Sequence, residues 1–264
     1  MGPAPSKLRE PAYAEKFESY TTPLLNLRYP QIQIALDMDT ADLETILTIA
    51  ARCYKGGARI IEAGTPTMKD HGSRHIIPAL RRVAPDAVLV DDLKSIDAAH
   101  MEARIAFRSG ADIASVLALG GSSAIKEALR EAVLQNKAIL VDTIRCENPL
   151  EELGKLTREF KGYENWLMFN LHRGITDQIR KGHGVYQERD LISSARKSAG
   201  DFRLNVAGGI KRGTIKEIMS LGVDVCTVGG AVTRSSDPET VTRKMLEEAY
   251  TSFRPLKSSA ENPA

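Results

Sequence analysis

The chain has 264 residues, enough to bury a large hydrophobic core within one domain. Lysine and arginine together number 36 against 34 for aspartate and glutamate, so the net charge of +2 gives no general attraction to nucleic acid or to an anionic membrane. No apolar run approaches the roughly 18 residues of a membrane span, no signal-peptide pattern is present, and the three cysteines are scattered, so we expect a cytoplasmic protein with reduced thiols.

The first 29 residues are rich in proline and charge and show no sustained hydrophobic period. They are predicted to form an N-terminal arm with one short helix near Tyr13 to Tyr20. From Gln31 a repeating pattern begins, in which a short apolar, β-branched run is followed by an amphipathic stretch with helical spacing. The pattern ends near Tyr250, and residues 251–264 are predicted to be a disordered tail. The sequence therefore predicts one folded domain over residues 30–250.

The repeating pattern contains eight predicted strands, and most of them begin about 25 to 28 residues apart, the length of one strand and one helix. They cover residues 32–36, 59–63, 87–90, 113–117, 138–141, 166–171, 203–206 and 225–228. Helices are predicted between them, among others at 41–54, 97–107 and 122–134. Strands that alternate with helices pair in parallel, and eight such units close into a single (β/α)8 TIM barrel. The alternative, an open doubly wound sheet, requires a dinucleotide-binding fingerprint that does not follow the first strand.

In the stretch VDDLKSID, which follows an apolar run, the six positions from Asp92 to Asp97 hold three charged side chains. Asp92 and Lys94 lie two residues apart and therefore point to the same side of a strand, and Asp97 follows where the strand gives way to a loop. Charges in a packed interior must pair with each other, with a metal ion or with a ligand. The stretch therefore predicts a functional site, and the simpler alternative is an exposed strand end with an incidental ion pair.

In such a barrel the carboxyl ends of the strands share one face, where active sites lie. The predicted ends carry Asp37, Glu62, Asp92, Lys94, Asp142 and His172. Glu62 and Asp92 come from adjacent strands and could hold one Mg²⁺ ion, unless either acid simply pairs with Lys94. Lys94, surrounded by acids, should stay protonated. His172 follows an apolar strand, where a base near neutral pH is useful, although a single histidine is often structural.

The seventh and eighth strands end in VAGGI and TVGGA, which contain the paired glycines Gly208, Gly209, Gly229 and Gly230. Paired glycines let backbone amides approach an anion, and the loops after these strands commonly bind phosphate. The alternative is that the glycines only serve tight turns. Lys211 and Arg234 stand nearby in sequence and could add positive charge. The long connection over residues 173–190 is predicted to cover the site.

With these residues in place, the chain resembles the orotidine-monophosphate decarboxylase superfamily, whose hallmark Asp-x-Lys-x-x-Asp is present as Asp92, Lys94 and Asp97. Within it, the sequence is most similar to the 3-hexulose-6-phosphate synthase family, through the segments QIALD, IEAGTP, VDDLKSIDAA, VAGGI and VGGAVTRSSDP. The resemblance covers about residues 31–250. It implies a homodimer of (β/α)8 barrels that uses Mg²⁺ to condense formaldehyde with ribulose 5-phosphate, reversibly.

The resemblance also implies roles for individual residues. Glu62 and Asp92 would ligate Mg²⁺, Asp37 and Lys94 would contact the substrate, and His172 would move the proton. Asp97 would lie near the subunit interface and reach the partner's site. The four glycines would bind the phosphate, and further candidates for substrate contact are Lys69, Asp142, Arg173 and Arg234.

Related activities remain as alternatives. The 3-keto-L-gulonate-6-phosphate decarboxylase family shares nearly all these residues but typically has an arginine three residues after the histidine, where this chain has Ile175. Orotidine-monophosphate decarboxylase itself has a lysine before the hallmark motif and no metal, whereas Val90 and Asp91 precede it here. Thr176 stands where both of the sugar-phosphate families tend to have Asp, which leaves the exact substrate open. A sugar-phosphate-binding module without catalysis would need the glycines but not the acid–lysine cluster.

Overall fold

The computed structural model describes residues 21–38, 41–182 and 184–255. Eight parallel strands form a closed barrel in chain order, and β1 pairs with β8 to complete it. The strands are β1 Gln31–Ala35, β2 Ile60–Ala63, β3 Val88–Ser95, β4 Ile113–Leu117, β5 Ala138–Asp142, β6 Leu167–His172, β7 Arg203–Ala207 and β8 Val225–Val228. The predicted (β/α)8 barrel is therefore confirmed.

Helices connect successive strands. They are Pro23–Asn26, Leu43–Lys55, Thr65–His71, Ser73–Val83, Ala99–Arg108, Gly121–Gln135, Pro149–Glu159, Ile175–Lys181, Arg189–Ala199, Ile215–Met219, Gly230–Thr233 and Pro238–Ser252. The helix predicted from residue 41 begins at Leu43, because the Asp42 carboxylate accepts a hydrogen bond from the Thr45 amide at 2.8 Å and caps it. In the described part of the chain, no helix is both long and apolar enough to cross a membrane.

The amino end of the barrel is closed by apolar side chains. Leu24, from the short helix Pro23–Asn26, belongs to one apolar cluster with inward-facing residues of the strands: Ile60, Val90, Ile113, Ala138, Leu140, Met168 and Val225. Thr22 Oγ1 donates a hydrogen bond to the Asn165 carbonyl at 2.5 Å. The last residues of the predicted arm thus seal the barrel, while the helix predicted near Tyr13 to Tyr20 and the tail beyond residue 255 lie outside the described residues.

Two ion-pair clusters brace the same end of the barrel at places four strands apart. Asp224, just before β8, accepts hydrogen bonds from Arg196 at 2.6 Å and Arg203 at 2.9 Å, and the Arg196 and Asp224 side chains are almost fully buried. Asp112, just before β4, accepts from Arg81 at 2.5 Å. Because this end is rigidly packed, the opposite end can carry loops and charged groups.

Candidate active site

A cavity of about 750 Å³ opens at the carboxyl ends of the strands. Nearly all the residues predicted for this face line it: Asp37, Glu62, Asp92, Lys94, Asp142, His172, Gly208, Gly209, Gly229, Gly230 and Arg234. The long sixth connection also contributes to the wall, through Gly174, Ile175 and Gln178. One cavity therefore contains the acids, the lysine, the histidine and both glycine pairs.

Asp92 is held in place by three side chains. Thr65 Oγ1 donates to Asp92 Oδ2 at 2.7 Å, Ser115 Oγ donates to Oδ1 at 2.7 Å, and the Lys94 ammonium donates to Oδ2. Burial raises the pKa of Asp92, but the charge of Lys94 and these hydrogen bonds lower it more, so that pKa lies below its ordinary value. Asp92 is consequently ionised at neutral pH.

Lys94 reaches the cavity through an irregular strand end. The pairing of β3 with β4 shifts register between Asp91 and Ser95, Lys94 has a left-handed φ of 50°, and its backbone N–H donates to Ser115 Oγ at 2.9 Å. The ammonium bonds Asp92 and lies 3.6 Å from Asp142. Burial lowers the pKa of Lys94, but the surrounding carboxylates outweigh it, so that pKa is raised and the amine is charged.

Glu62 and Asp37 are the acids of this cluster that form no ion pair with Lys94 in the described structure. The pKa of Glu62 lies well above its usual value because the group is buried and faces the Asp92 and Asp37 carboxylates. The pKa of Asp37 is raised by burial and by Asp92. Gly64 allows this packing, because a Cβ there would collide with the Asp37 carboxylate.

The acids at this end of the cavity are suitable ligands for a hard cation. Among the described residues, no three Asp, Glu, His or Cys side chains are grouped to ligate one ion. Mg²⁺, however, is often bound by one or two carboxylates together with water and substrate oxygens. The oxygen donors of Glu62 and Asp92, and the repulsion that raises the pKa of Glu62, fit such an ion.

His172 and Asp142 form a hydrogen-bonded pair. The ring Nδ1 of His172 lies 2.8 Å from Asp142 Oδ2, and the Asp142 side chain is 1% exposed. Burial lowers the pKa of His172, but the charge of Asp142 and its hydrogen bond raise it more, so that pKa is above its ordinary value. Asp142 was predicted only as a substrate contact, and the structure places it between His172 and Lys94.

The paired glycines form the other end of the cavity. Gly208 has a φ of +122°, and a Cβ there would collide with the Arg173 carbonyl. Gly209 has a φ of +70°, and the Gln178 side chain lies against it. Lys211 and Arg234 line the same end. Exposed backbone next to two cations is an arrangement that suits a phosphate group.

Three predicted residues do not line the cavity of this chain. Lys69 is exposed on the helix Thr65–His71 and does not line the cavity, although Thr65 and Pro66 of the same helix do. Arg173 follows His172 and points to the opposite side, where it forms an ion pair with Glu188. Asp97 is exposed, and its carboxylate accepts a hydrogen bond from the Ala98 amide at 2.8 Å. Its predicted role in a partner's site stays a prediction.

Several cavity or supporting residues were missed by sequence reasoning: Thr65, Ser115, Asn170, Gln178 and Thr227. Three of them were detectable, because Ser115, Asn170 and Thr227 are polar residues inside apolar strands. Asn170 precedes His172 by two positions and therefore shares its face. Gln178 and Thr65 lie on connecting segments, whose side-chain directions do not follow strand alternation.

Comparisons with known proteins identify the family and the fold. A family model described as Orotidine 5'-phosphate decarboxylase / HUMPS family matches residues 30–245. The 3-hexulose-6-phosphate synthase of Mycobacterium gastri is 30% identical over 218 residues, which are 81% of this chain and 97% of the relative. The crystal structure of the synthase from Salmonella typhimurium is 27% identical, with a TM-score of 0.74 over 84% of this chain and all of the other. A KGPDC structure from Streptococcus mutans has the same fold, with a TM-score of 0.74 at 20% identity over 86% of this chain and all of the other.

Proposed function

Because the chain belongs to the orotidine 5'-phosphate decarboxylase / HUMPS family, we propose that it is an aldehyde-lyase of the 3-hexulose-6-phosphate synthase type. It would condense formaldehyde with ribulose 5-phosphate, reversibly. The observation that carries this proposal is the arrangement of one cavity, with the linked side chains of Asp92, Lys94, Asp142 and His172 at one end and exposed glycine backbone at the other. A ketose phosphate has the same polarity, with an acidic carbon beside its carbonyl group and a phosphate at its far end.

The phosphate would bind to the amides around Gly208, Gly209, Gly229 and Gly230, with Lys211 and Arg234 adding positive charge. Binding of this remote group positions the reacting end of the sugar, so that its binding energy contributes to the rate. This division of labour explains why one cavity combines glycine backbone with an acid–lysine–histidine cluster.

His172 would remove the proton from carbon 1 of the ketose. Its Nδ1 is engaged by Asp142, so the other ring nitrogen, Nε2, is the one left to accept a proton. Negative charge then develops at the carbonyl oxygen, and the Lys94 ammonium stabilises it. The carbanion attacks the carbon of formaldehyde while the ketone re-forms, and the resulting alkoxide takes up the proton held by His172, which becomes a neutral base again.

Glu62 and Asp92 would hold Mg²⁺. When bound, the ion supplies Lewis-acid polarisation of the substrate's carbonyl and hydroxyl oxygens, which acidifies the neighbouring carbon. The two carboxylates come from neighbouring strands, and Lys94 fixes Asp92 in its ionised form.

The test is incubation of the protein with formaldehyde, ribulose 5-phosphate and Mg²⁺ while formaldehyde consumption is measured. A parallel incubation with 3-keto-L-gulonate 6-phosphate, monitored for CO₂, tests the decarboxylase alternative. Ile175, which is 68% exposed at the cavity wall, stands where the resembling decarboxylases typically have an arginine, which favours the synthase. Release of CO₂ without formaldehyde consumption would overturn the proposal, and sugar-phosphate binding without either reaction would favour a binding module.

We further propose that the protein is a cytoplasmic homodimer. Its three cysteines are free thiols, which suits a reducing compartment. Asp97 lies next to Ile96, which is 53% exposed, and near Met101, which is 54% exposed, so this segment offers apolar surface to a second copy. Light scattering would measure the mass. Replacement of Asp97 by Asn should reduce turnover in a dimer whose sites are shared, and unchanged turnover would remove Asp97 from the site.

A further inference from the structure

Three polar residues form a floor beneath the cavity: Asn170 on β6, Asn205 on β7 and Thr227 on β8. We call them the polar floor. Each stands two residues before a cavity-lining residue of its own strand, namely His172, Ala207 and Gly229, and therefore faces the barrel interior. The interior of such a barrel is usually filled by branched apolar side chains, as it is one layer lower in this protein. The polar floor therefore needs a separate explanation.

Two of the three residues satisfy each other. Asn205 Nδ2 donates to Thr227 Oγ1 at 2.7 Å, and the Thr227 hydroxyl lies 3.1 Å from Asn205 Oδ1. This pair fixes the rotamers on β7 and β8. Asn205 is not a hydrogen-bond partner of Asn170 Oδ1 in the described structure, so this pair does not explain why the adjacent position on β6 is polar too.

Asn170 is different. Its side chain lines the cavity, the residue is only 4% exposed, and its Oδ1 is buried without a hydrogen-bond partner in the described structure. A buried acceptor without a partner destabilises a protein, whereas an apolar side chain of similar volume would be neutral or favourable. The amide at position 170 is thus not explained by the stability of the barrel.

The place of Asn170 indicates what it binds. Its strand lies between β5, which carries Asp142, and β7, which leads into Gly208. Asn170 is therefore located next to Asp142, beneath His172 on the same strand, and beside the strand that leads into the glycines of the phosphate site. A side-chain amide offers both donors and an acceptor, so it can bind a hydroxyl group in either direction.

We propose that Asn170 binds a hydroxyl group in the middle of the sugar-phosphate chain and is a specificity-determining residue. The proposal rests on the proposed function, because it takes the ligand to be a phosphorylated polyol. A site built around such a hydrogen bond discriminates against ligands that lack the hydroxyl group, because the buried amide is then left unpaired. Asn170 of the polar floor would thus select ligands with a hydroxylated carbon chain, and the glycines would select ligands with a phosphate group.

The test compares wild type with Asn170→Leu, which keeps the side-chain volume and removes the amide. Each protein is titrated calorimetrically with ribulose 5-phosphate and with inorganic phosphate, and its thermal unfolding is measured. Ribulose 5-phosphate should bind about three- to tenfold more weakly to the variant, the range for one hydrogen bond. The affinity for inorganic phosphate should not change, and the midpoint of unfolding should stay equal or rise.

Gln31→Met is the matched control. Gln31 is also buried with an unpaired amide oxygen, but it lies at the opposite end of the barrel, where its Nε2 donates to the Arg28 carbonyl at 2.5 Å. Ribulose 5-phosphate should bind this variant as it binds wild type. Equal affinities of wild type and Asn170→Leu for ribulose 5-phosphate would overturn the role of Asn170 alone. Failure of wild type itself to bind ribulose 5-phosphate would instead overturn the proposed function, and this inference with it.

Discussion

The contact between Asp142 and His172 gives the sharpest functional prediction. Asp142 Oδ2 lies 2.8 Å from His172 Nδ1 and 3.6 Å from the Lys94 ammonium, and its side chain is 1% exposed. Asp142→Asn keeps the size of the side chain and removes its charge. The imidazole then loses both its anionic partner and the group that fixes its tautomer, while the barrel keeps its packing.

The expected fall in kcat for Asp142→Asn follows from this contact. A hydrogen bond to a charged group is worth about 1.5–3 kcal/mol, and about 1.4 kcal/mol corresponds to tenfold in rate, so kcat should fall about ten- to hundredfold. The pH dependence should shift as well. In the wild type, Asp142 holds the pKa of His172 above its ordinary value, and the protonated ring cannot act as a base below that pKa. Removal of the charge lowers the pKa of His172, so the acid limb of the profile moves to lower pH.

The assay is formaldehyde consumption with ribulose 5-phosphate across a pH series, together with hydrogen exchange at carbon 1 of the substrate. Asp112→Asn serves as the control, because Asp112 is another ion-paired aspartate at a strand terminus but lies at the opposite end of the barrel. The Asp112→Asn variant should have the same acid limb in its pH–rate profile as the wild type. If Asp142→Asn reduces kcat but its acid limb coincides with that of wild type, Asp142 does not act through the ionisation of His172, and the assigned pairing is wrong.

Further predictions concern the metal ligands, the glycines and the base of the barrel. Glu62→Gln should abolish Mg²⁺-dependent turnover, and full wild-type activity in the presence of a chelator would contradict the carboxylate pair as metal ligands. Gly208→Ala should raise KM for ribulose 5-phosphate strongly, because the new Cβ meets backbone at a φ of +122°. Gly230→Ala should raise KM less, because its new Cβ meets only the flexible end of Arg234, and equal effects of the two variants would contradict this difference. Asp224→Ala should lower the free energy of unfolding by about 3–5 kcal/mol in urea titrations, because it leaves buried Arg196 unpaired, and a loss below about 1 kcal/mol would show that the pair contributes little.

The barrel itself was accessible to sequence reasoning. The strands at Ile113–Leu117 and Val225–Val228 have the predicted bounds, because each is a short run of buried residues preceded by a glycine and an aspartate. Eight strand–helix units at regular spacing favour a parallel sheet whose strands follow chain order and close into a barrel. Since parallel strands place all their carboxyl ends at one face, the convergence of the acids, Lys94 and His172 followed from the order of the elements.

Side-chain direction was harder to predict where a strand is irregular or has ended. Strand alternation predicted Asp92 and Lys94 on one side of the strand, and both side chains line the cavity. Lys94 reaches it, however, through a register shift and a left-handed φ that no local sequence pattern predicts. Lys69 and Arg173 are close to the site in sequence but do not line the cavity. The direction of Arg173 is set by its ion pair with Glu188, a contact outside the strand that no local pattern predicts.

The charges of the cavity explain why its acids differ in role. Lys94 contacts two carboxylates, Asp92 and Asp142, and the pKa of Asp92 is low as a result, since Lys94 and the hydrogen bonds outweigh burial. Glu62 and Asp37 form no ion pair with Lys94 in the described structure, and burial together with the charge of Asp92 raises both pKa values. Environments that separate the pKa values of neighbouring acids are typical of catalytic sites. One amine cannot neutralise all these acids, so an additional cation at Glu62 would relieve the repulsion and lower the pKa of that group.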